Sequence, residues 1–177
     1  MLAALTSGFI ALSALAASIY NVYLQRKQIQ AQVWPHLEWT YSDGEDFTFN
    51  LENSGVGPAK IIGLRVTVNG TPVKNWREAL AEASKSDPEL KAFLANPDVR
   101  FGYSSIYGRV LGAGVRINPV RFHWAGKDPE AHLSSAPVVR LFDELEVSIC
   151  YCSTLDECEM DDHPVKECPR DQLTFRQ

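Results

Sequence analysis

All four cysteines of the chain fall within 19 residues, at Cys150, Cys152, Cys158 and Cys168, with His163 between the last two. No other stretch gathers side chains with so clear a capacity for chemistry. Zinc takes four thiolate or imidazole ligands in a tetrahedron, and five such groups stand here. Cys150 and Cys152 are two apart in an alternating stretch, so they point to one side of a strand. Their Cα atoms are then about 7 Å apart, near enough to share one ion. The spacing is not that of a zinc ribbon or finger, whose ligands come in C-x₂₋₄-C pairs.

Two other states of the same residues stay open. In an oxidising compartment an even count of four favours two disulfides, with Cys150 and Cys152 each taking a partner beyond the other. In a reducing compartment the four are expected as structural thiols. A nucleophilic cysteine needs a nearby cation or histidine to lower its pKa. The segment from Thr154 to Asp171 instead carries Asp156, Glu157, Glu159, Asp161, Asp162, Glu167 and Asp171 against Lys166 and Arg170. Those carboxylates lack the ligand spacing and the glycine of a calcium-binding EF-hand loop. Residues 150–171 therefore read as a Cys-rich acidic loop.

Elsewhere the sequence is quiet. His36 and His123 lie in strand patterns beside tryptophans, and His132 falls in a surface turn between Pro129 and Leu133. There is no G-x-S-x-G, H-E-x-x-H or Walker-type run. Gly55 and Gly57 are not followed by the Lys-Ser/Thr pair and helix that a phosphate loop requires, so they are read as a tight strand connection. No catalytic residue is assigned, and no cofactor is expected unless zinc occupies the cysteine cluster.

The strand that positions the first two cysteines is the cleanest in the chain. From Glu144 to Cys152, Leu145, Val147, Ile149 and Tyr151 alternate inward, which turns Cys150 and Cys152 to the opposite face. Similar alternation gives Leu37, Trp39 and Tyr41, then Phe47, Phe49 and Leu51 after the turn at Ser42–Glu45. A longer strand from Lys60 to Val68 places Ile62, Leu64, Val66 and Val68 on one face. It ends at Asn69-Gly70, a strong hairpin signal because both central residues of a type I′ turn need positive φ.

Residues 75–96 interrupt this pattern. Asn75 with Glu78 resembles a capping box, Trp76 and Leu80 make an i,i+4 apolar pair, and Asp87-Pro88 restarts a helix with proline at its first position. Strand signals return at Val99–Tyr103, Ile106–Leu111 and Val115–Trp124. The last slips phase at Asn118-Pro119, as at a bulge or on an edge strand. Leu173 and Phe175 are placed to close the sheet. Eight or nine short strands separated by turns indicate a mainly β domain, an immunoglobulin-like β-sandwich with a short helical insertion at 75–96.

Ahead of that domain, Leu2–Leu24 holds no charged side chain. At ~1.5 Å per residue the stretch reaches ~34 Å, enough to cross a hydrocarbon core of ~30 Å. Tyr20 and Tyr23 sit where an aromatic belt falls, and Arg26 and Lys27 follow at once. Pro35 ends the helical extension into water, so residues 1–34 are read as anchor and extension and 35–177 as the domain. With no charge before the span and two after it, the positive-inside rule places the N-terminus outside and the domain in the cytoplasm. The opposite, periplasmic placement is the alternative. Ala3, Ala4, Ser7, Gly8, Ala11, Ala14 and Ser18 make one face of the span small, the surface on which membrane helices approach closely. The implied partners are the lipid bilayer and either a membrane protein or a second copy of the chain.

The chain carries 17 basic and 22 acidic residues for a net charge of −5. Arg26 and Lys27 are the only charges up to position 27, so the remainder holds 15 basic against 22 acidic groups, a net of −7. That balance argues against nucleic acid, whose phosphates demand a basic face.

VWPHLEW directly after a membrane helix, then LENSGVGPAKI, then ICYCS late in the chain, resembles a loose group of uncharacterised bacterial single-pass membrane proteins. The group has an N-terminal anchor, a V-x-P-H-L lead-in, an N-x-G-x-G-P-A turn and a small β-domain. Val33, Pro35, His36, Leu37, Asn53, Gly55, Gly57, Pro58 and Ala59 carry the match, and Trp34 stands where an arginine is commoner. The resemblance implies a bacterial inner-membrane origin and brings no activity with it. The expected function is a membrane-tethered, non-catalytic interaction or accessory domain. The alternative is a metal-binding or thiol-redox sensor or enzyme built on Cys150, Cys152, Cys158, His163 and Cys168.

Overall fold

The computed structural model describes residues 2–44, 46–125, 136–160, 163–165, 167–169, 171, 173 and 175. In chain order they form α1 (Leu2–Gln32), β1 (Leu37–Asp43), β2 (Asp46–Asn53), β3 (Ala59–Val68) and β4 (Thr71–Val73). Next come α2 (Trp76–Ser86), α3 (Pro88–Ala95), β5 (Val99–Tyr103), β6 (Val110–Leu111) and β7 (Arg116–Trp124). The chain continues through α4 (Ala136–Glu144), β8 (Leu145–Cys152), β9 (Cys158–Met160) and β10 (His163–Val165). The helical turn expected at 129–133, and His132 with it, lies outside the described residues.

Everything after α1 is mainly β. One sheet has the order β1-β2-β7-β5; the other runs β10-β9-β8-β3-β4, with β6 also paired to β3. All pairings are antiparallel. The two sheets share one apolar core. Phe47, Phe49 and Leu51 of β2 and Val120 and Phe122 of β7 join Ile61, Leu64, Val66 and Val68 of β3 and Ile149 and Tyr151 of β8. Each such side chain contributes about 1.5–3 kcal/mol by leaving water, before the entropy of ordering is counted.

The two-residue hairpin is where the sequence places it: Val68 pairs with Thr71, and Asn69 and Gly70 sit at φ 49° and 75°. The phase slip in β7 is a bulge. Asn118 and Pro119 stand opposite Asn50 alone, between the Phe49–Val120 and Leu51–Ile117 pairs. β7 is an interior strand, so the proline is tolerated by that irregularity and not by an edge. A second irregularity, between Ile61 and Gly63, changes the core list. Ile61 is fully buried in place of the expected Ile62, and the alternation resumes at Leu64.

Three other elements depart from the sequence reading. The stretch Ile106–Leu111 yields a strand only at Val110–Leu111, while Ile106 is still fully buried. Helix α4 occupies residues to which the sequence reading assigned no element, burying Pro137, Val138 and Leu141. The segment 150–171 is less of a loop than expected, because β9 and β10 extend the second sheet through it.

The insertion at 75–96 is two helices, as expected. Asn75 caps α2 by accepting from the Glu78 N–H at 2.9 Å, and Glu78 reaches back to the Lys74 N–H at 2.7 Å. Asp87 caps α3 through the Glu89 and Leu90 N–H groups. Trp76 fastens the insertion to the sheets. Its ring stacks on Trp39 of β1 at 6.0 Å and meets Phe175 edge-on at 4.9 Å.

Candidate functional site

Helix α1 is one helix long and apolar enough to span a membrane: within Thr6–Gln32 its 18-residue apolar window has mean hydropathy 1.4, with none of that window buried against the rest of the chain. Of the small residues proposed for helix packing, Ala3, Ala4, Ser7, Gly8, Ala11, Ala14 and Ser18 all lie in α1. A side chain built at Gly8 meets nothing within 4 Å. The Ser18 hydroxyl is turned back to the Ala14 carbonyl at 2.9 Å, which satisfies it within the helix.

Where α1 ends, the lead-in and the glycine turn meet. The Trp34 carbonyl accepts from the N–H groups of Val56 at 3.0 Å and Gly57 at 3.2 Å, and the His36 carbonyl accepts from Ser54 N–H at 2.8 Å. Asn53 organises the junction from a fully buried position. Its Oδ1 accepts from the His36 and Gly55 N–H groups, both at 3.1 Å. Its Nδ2 donates to the carbonyls of Gly57 at 2.7 Å and Leu111 at 2.9 Å. Two donors on one side and two acceptors on the other leave the amide a single workable orientation.

The glycines are needed for space. A Cβ at Gly55 would lie 2.3 Å from the His36 nitrogen, and one at Gly57 would lie 2.0 Å from the Val33 oxygen. Neither residue has a positive φ. The segment is the tight connection between β2 and β3 that its sequence indicates, and it also clamps the end of α1. The V-x-P-H-L and N-x-G-x-G-P-A stretches are the two halves of that clamp.

The cysteines assemble beside it. Cys150 and Cys152 point away from the core residues Ile149 and Tyr151, as the alternation of β8 requires. Cys152 faces Cys158 across the β8–β9 hairpin and is bonded to it, with 3.9 Å between Cα atoms. Cys150 is bonded to Cys168, at 5.8 Å between Cα atoms. The two bridges are neighbours: the sulfurs of Cys152, Cys158 and Cys168 all lie within 4.8 Å of one another. His163, the fifth proposed ligand, stands in β10 opposite Met160 in the strand register.

The hairpin turn is tied by Ser153, whose N–H donates to the Glu157 carbonyl at 2.8 Å and whose Oγ accepts from Leu155 N–H at 3.1 Å. From that turn the Glu157 carboxylate accepts a hydrogen bond from the Gln30 side chain of α1. Cys158, Glu157 and Asp156 line a groove whose other wall is Lys27, Gln30 and Trp34. The clamp and the β8–β9 turn thus both meet the C-terminal end of α1.

The side chains of His36 and His123 face carboxylates on exposed surfaces. His36 Nε2 lies 3.7 Å from Glu38, and His123 Nδ1 lies 2.5 Å from Asp46, which also pairs with Arg121 at 3.6 Å. Neither a protein-family model, nor a curated protein, nor a solved structure matches the chain.

Proposed function

We propose that this chain is a membrane-tethered, non-catalytic interaction domain, held by α1 in a bacterial inner membrane. The observation that carries the reading is the junction itself. An apolar helix with none of its apolar window buried in the chain is fastened at its polar end by the backbone grip of Asn53, Gly55 and Gly57. Such a junction serves a domain whose placement relative to the bilayer matters. The two sheets with their shared core support an immunoglobulin-like β-sandwich as the domain's fold. Its partner is a membrane protein or a second copy of the chain, met through the small face of α1.

Arg26 and Lys27 directly after the span support a cytoplasmic domain. The pairing of all four cysteines supports the opposite face, because disulfides persist where the surroundings are oxidising. We adopt the cytoplasmic placement, in which such cysteines serve as reversible redox groups and not as permanent staples.

Two measurements test the proposal. Alkaline carbonate washing of membranes should leave the full chain in the pellet; release into the supernatant overturns the tether. An impermeant thiol reagent applied to intact cells should not label a cysteine placed at the exposed Lys85. Ready labelling puts the domain outside and makes the disulfides structural.

A further inference from the structure

We infer that Cys150, Cys152, Cys158 and Cys168 form a redox-gated site for one soft divalent metal ion, disulfide-bonded when oxidised and tetrathiolate when reduced. Cys150 and Cys152 share one face of β8, and that brings their two bridges side by side. Here the Cys168 sulfur lies within 4.8 Å of both sulfurs of the other bridge, and Cys150 is the remaining half of its own bridge. Zinc–sulfur bonds of about 2.3 Å in a tetrahedron set sulfurs roughly 3.8 Å apart, so the Cys168 sulfur needs to close by at most about 1 Å on the other bridge, while the two sulfurs of each reduced bridge move apart.

Cys150, Cys152 and Cys158 are placed by strand pairing as well as by the bridges. β8 and β9 stay paired through Cys150–Met160 and Tyr151–Glu159, and the Ser153 turn closes the hairpin by its own hydrogen bonds. Cys150, Cys152 and Cys158 are buried, which shields a metal–thiolate centre from water. The ion would sit beside the groove that Cys158 shares with Lys27 and Gln30 of α1.

The chemistry balances with a dithiol as reductant. Two dithiol equivalents give two electrons each, each closing to its own disulfide, and the four cysteine sulfurs become thiols. Binding of Zn²⁺ then releases four protons to solvent and leaves a centre of net charge −2. Reoxidation reverses this and expels the metal.

The test uses the full chain in detergent, reduced with a phosphine under anaerobic conditions and titrated with Co²⁺ and then Zn²⁺. The reduced chain should bind one ion, with the thiolate-to-cobalt charge-transfer absorption of a four-sulfur site, and Zn²⁺ should displace the cobalt. The oxidised chain should bind none. Cys150→Ser and Cys168→Ser should each convert the spectrum to that of a site with fewer sulfurs. A reduced, folded chain that binds no cobalt overturns the inference, as does binding unchanged in both variants. If reduction alone unfolds the domain, recovery of the β-type circular dichroism on adding Zn²⁺ upholds the site, and failure to recover it sinks it.

Discussion

The Asn53 side chain holds the backbone of His36, accepting its N–H at 3.1 Å although 16 residues of two paired strands and a turn lie between them. Removing that amide strips four hydrogen bonds at once, two part-buried from N–H groups and two buried to carbonyls. Asn53→Ala should therefore cost about 2–4 kcal/mol, from buried groups left unsatisfied. Asn53→Asp should be at least as damaging, since it turns a carboxylate oxygen toward the carbonyls of Gly57 and Leu111. Denaturant unfolding of the full chain in detergent measures both.

Gly57→Ala should loosen the junction, because the added methyl would lie 2.0 Å from the Val33 oxygen and backbone must move to admit it. Gly44→Ala meets nothing within 4 Å and serves as the control. Limited proteolysis should cut the Gly57 variant between 30 and 37 well before the native chain. Equal cutting of both variants would mean the clamp is not what protects that segment.

Asp87 ties the start of α3 to Arg140 of α4. Hydrogen bonds from the Leu90 N–H, then from Arg140, hold its carboxyl below the usual value of 3.8. A lowered folded-state pKa contributes stability that is complete above the unfolded value and is lost as pH falls through the folded one. Asp87→Asn keeps a capping side chain and loses the ion pair. The native chain should melt higher than this variant near neutral pH, and the gap should close as pH drops below 3.8. Melting curves across that range check it, and a gap independent of pH would assign the effect to capping alone.

Gly8→Leu and Ala11→Leu should weaken association in the membrane by keeping helix backbones apart. Cross-linking in native membranes reads the outcome. If both variants yield the same adducts as the native chain, α1 is an anchor only, and the partner surface belongs to the domain.

Local chemistry made much of the fold legible. Asn69-Gly70 demanded a two-residue turn, Asn75 and Glu78 announced a helix start, and the slip at Asn118-Pro119 located a bulge, because each signal sits within a few residues. What escaped depends on distant chain. Ile61 replaces Ile62 in the core through an irregularity in pairing with β8, which the alternation of β3 alone cannot reveal. α4 was hidden because Val138 and Val139 favour strands, and its burial of Val138 and Leu141 is set by tertiary packing. At the candidate site, the opposed directions of Cys150 and Ile149 could be read from period-2 alternation. The Cys152–Cys158 and Cys150–Cys168 pairing could not, since it follows from the β8–β9 register and the path of residues 167–169. Gly55 and Gly57 offered a signal in their spacing, but only the passing backbone of Val33 to His36 explains it.

The clamp leaves no swivel between α1 and the sheets. With the chain gripped at Trp34 and His36, directly after the last turn of α1, a twist of the helix about its own axis cannot be absorbed by a loose tether. It must be carried into the sheets. Two copies meeting along a different stripe of their helices would therefore hold their β-domains at a different separation. A contact made inside the membrane would be legible at a distance from it as geometry alone.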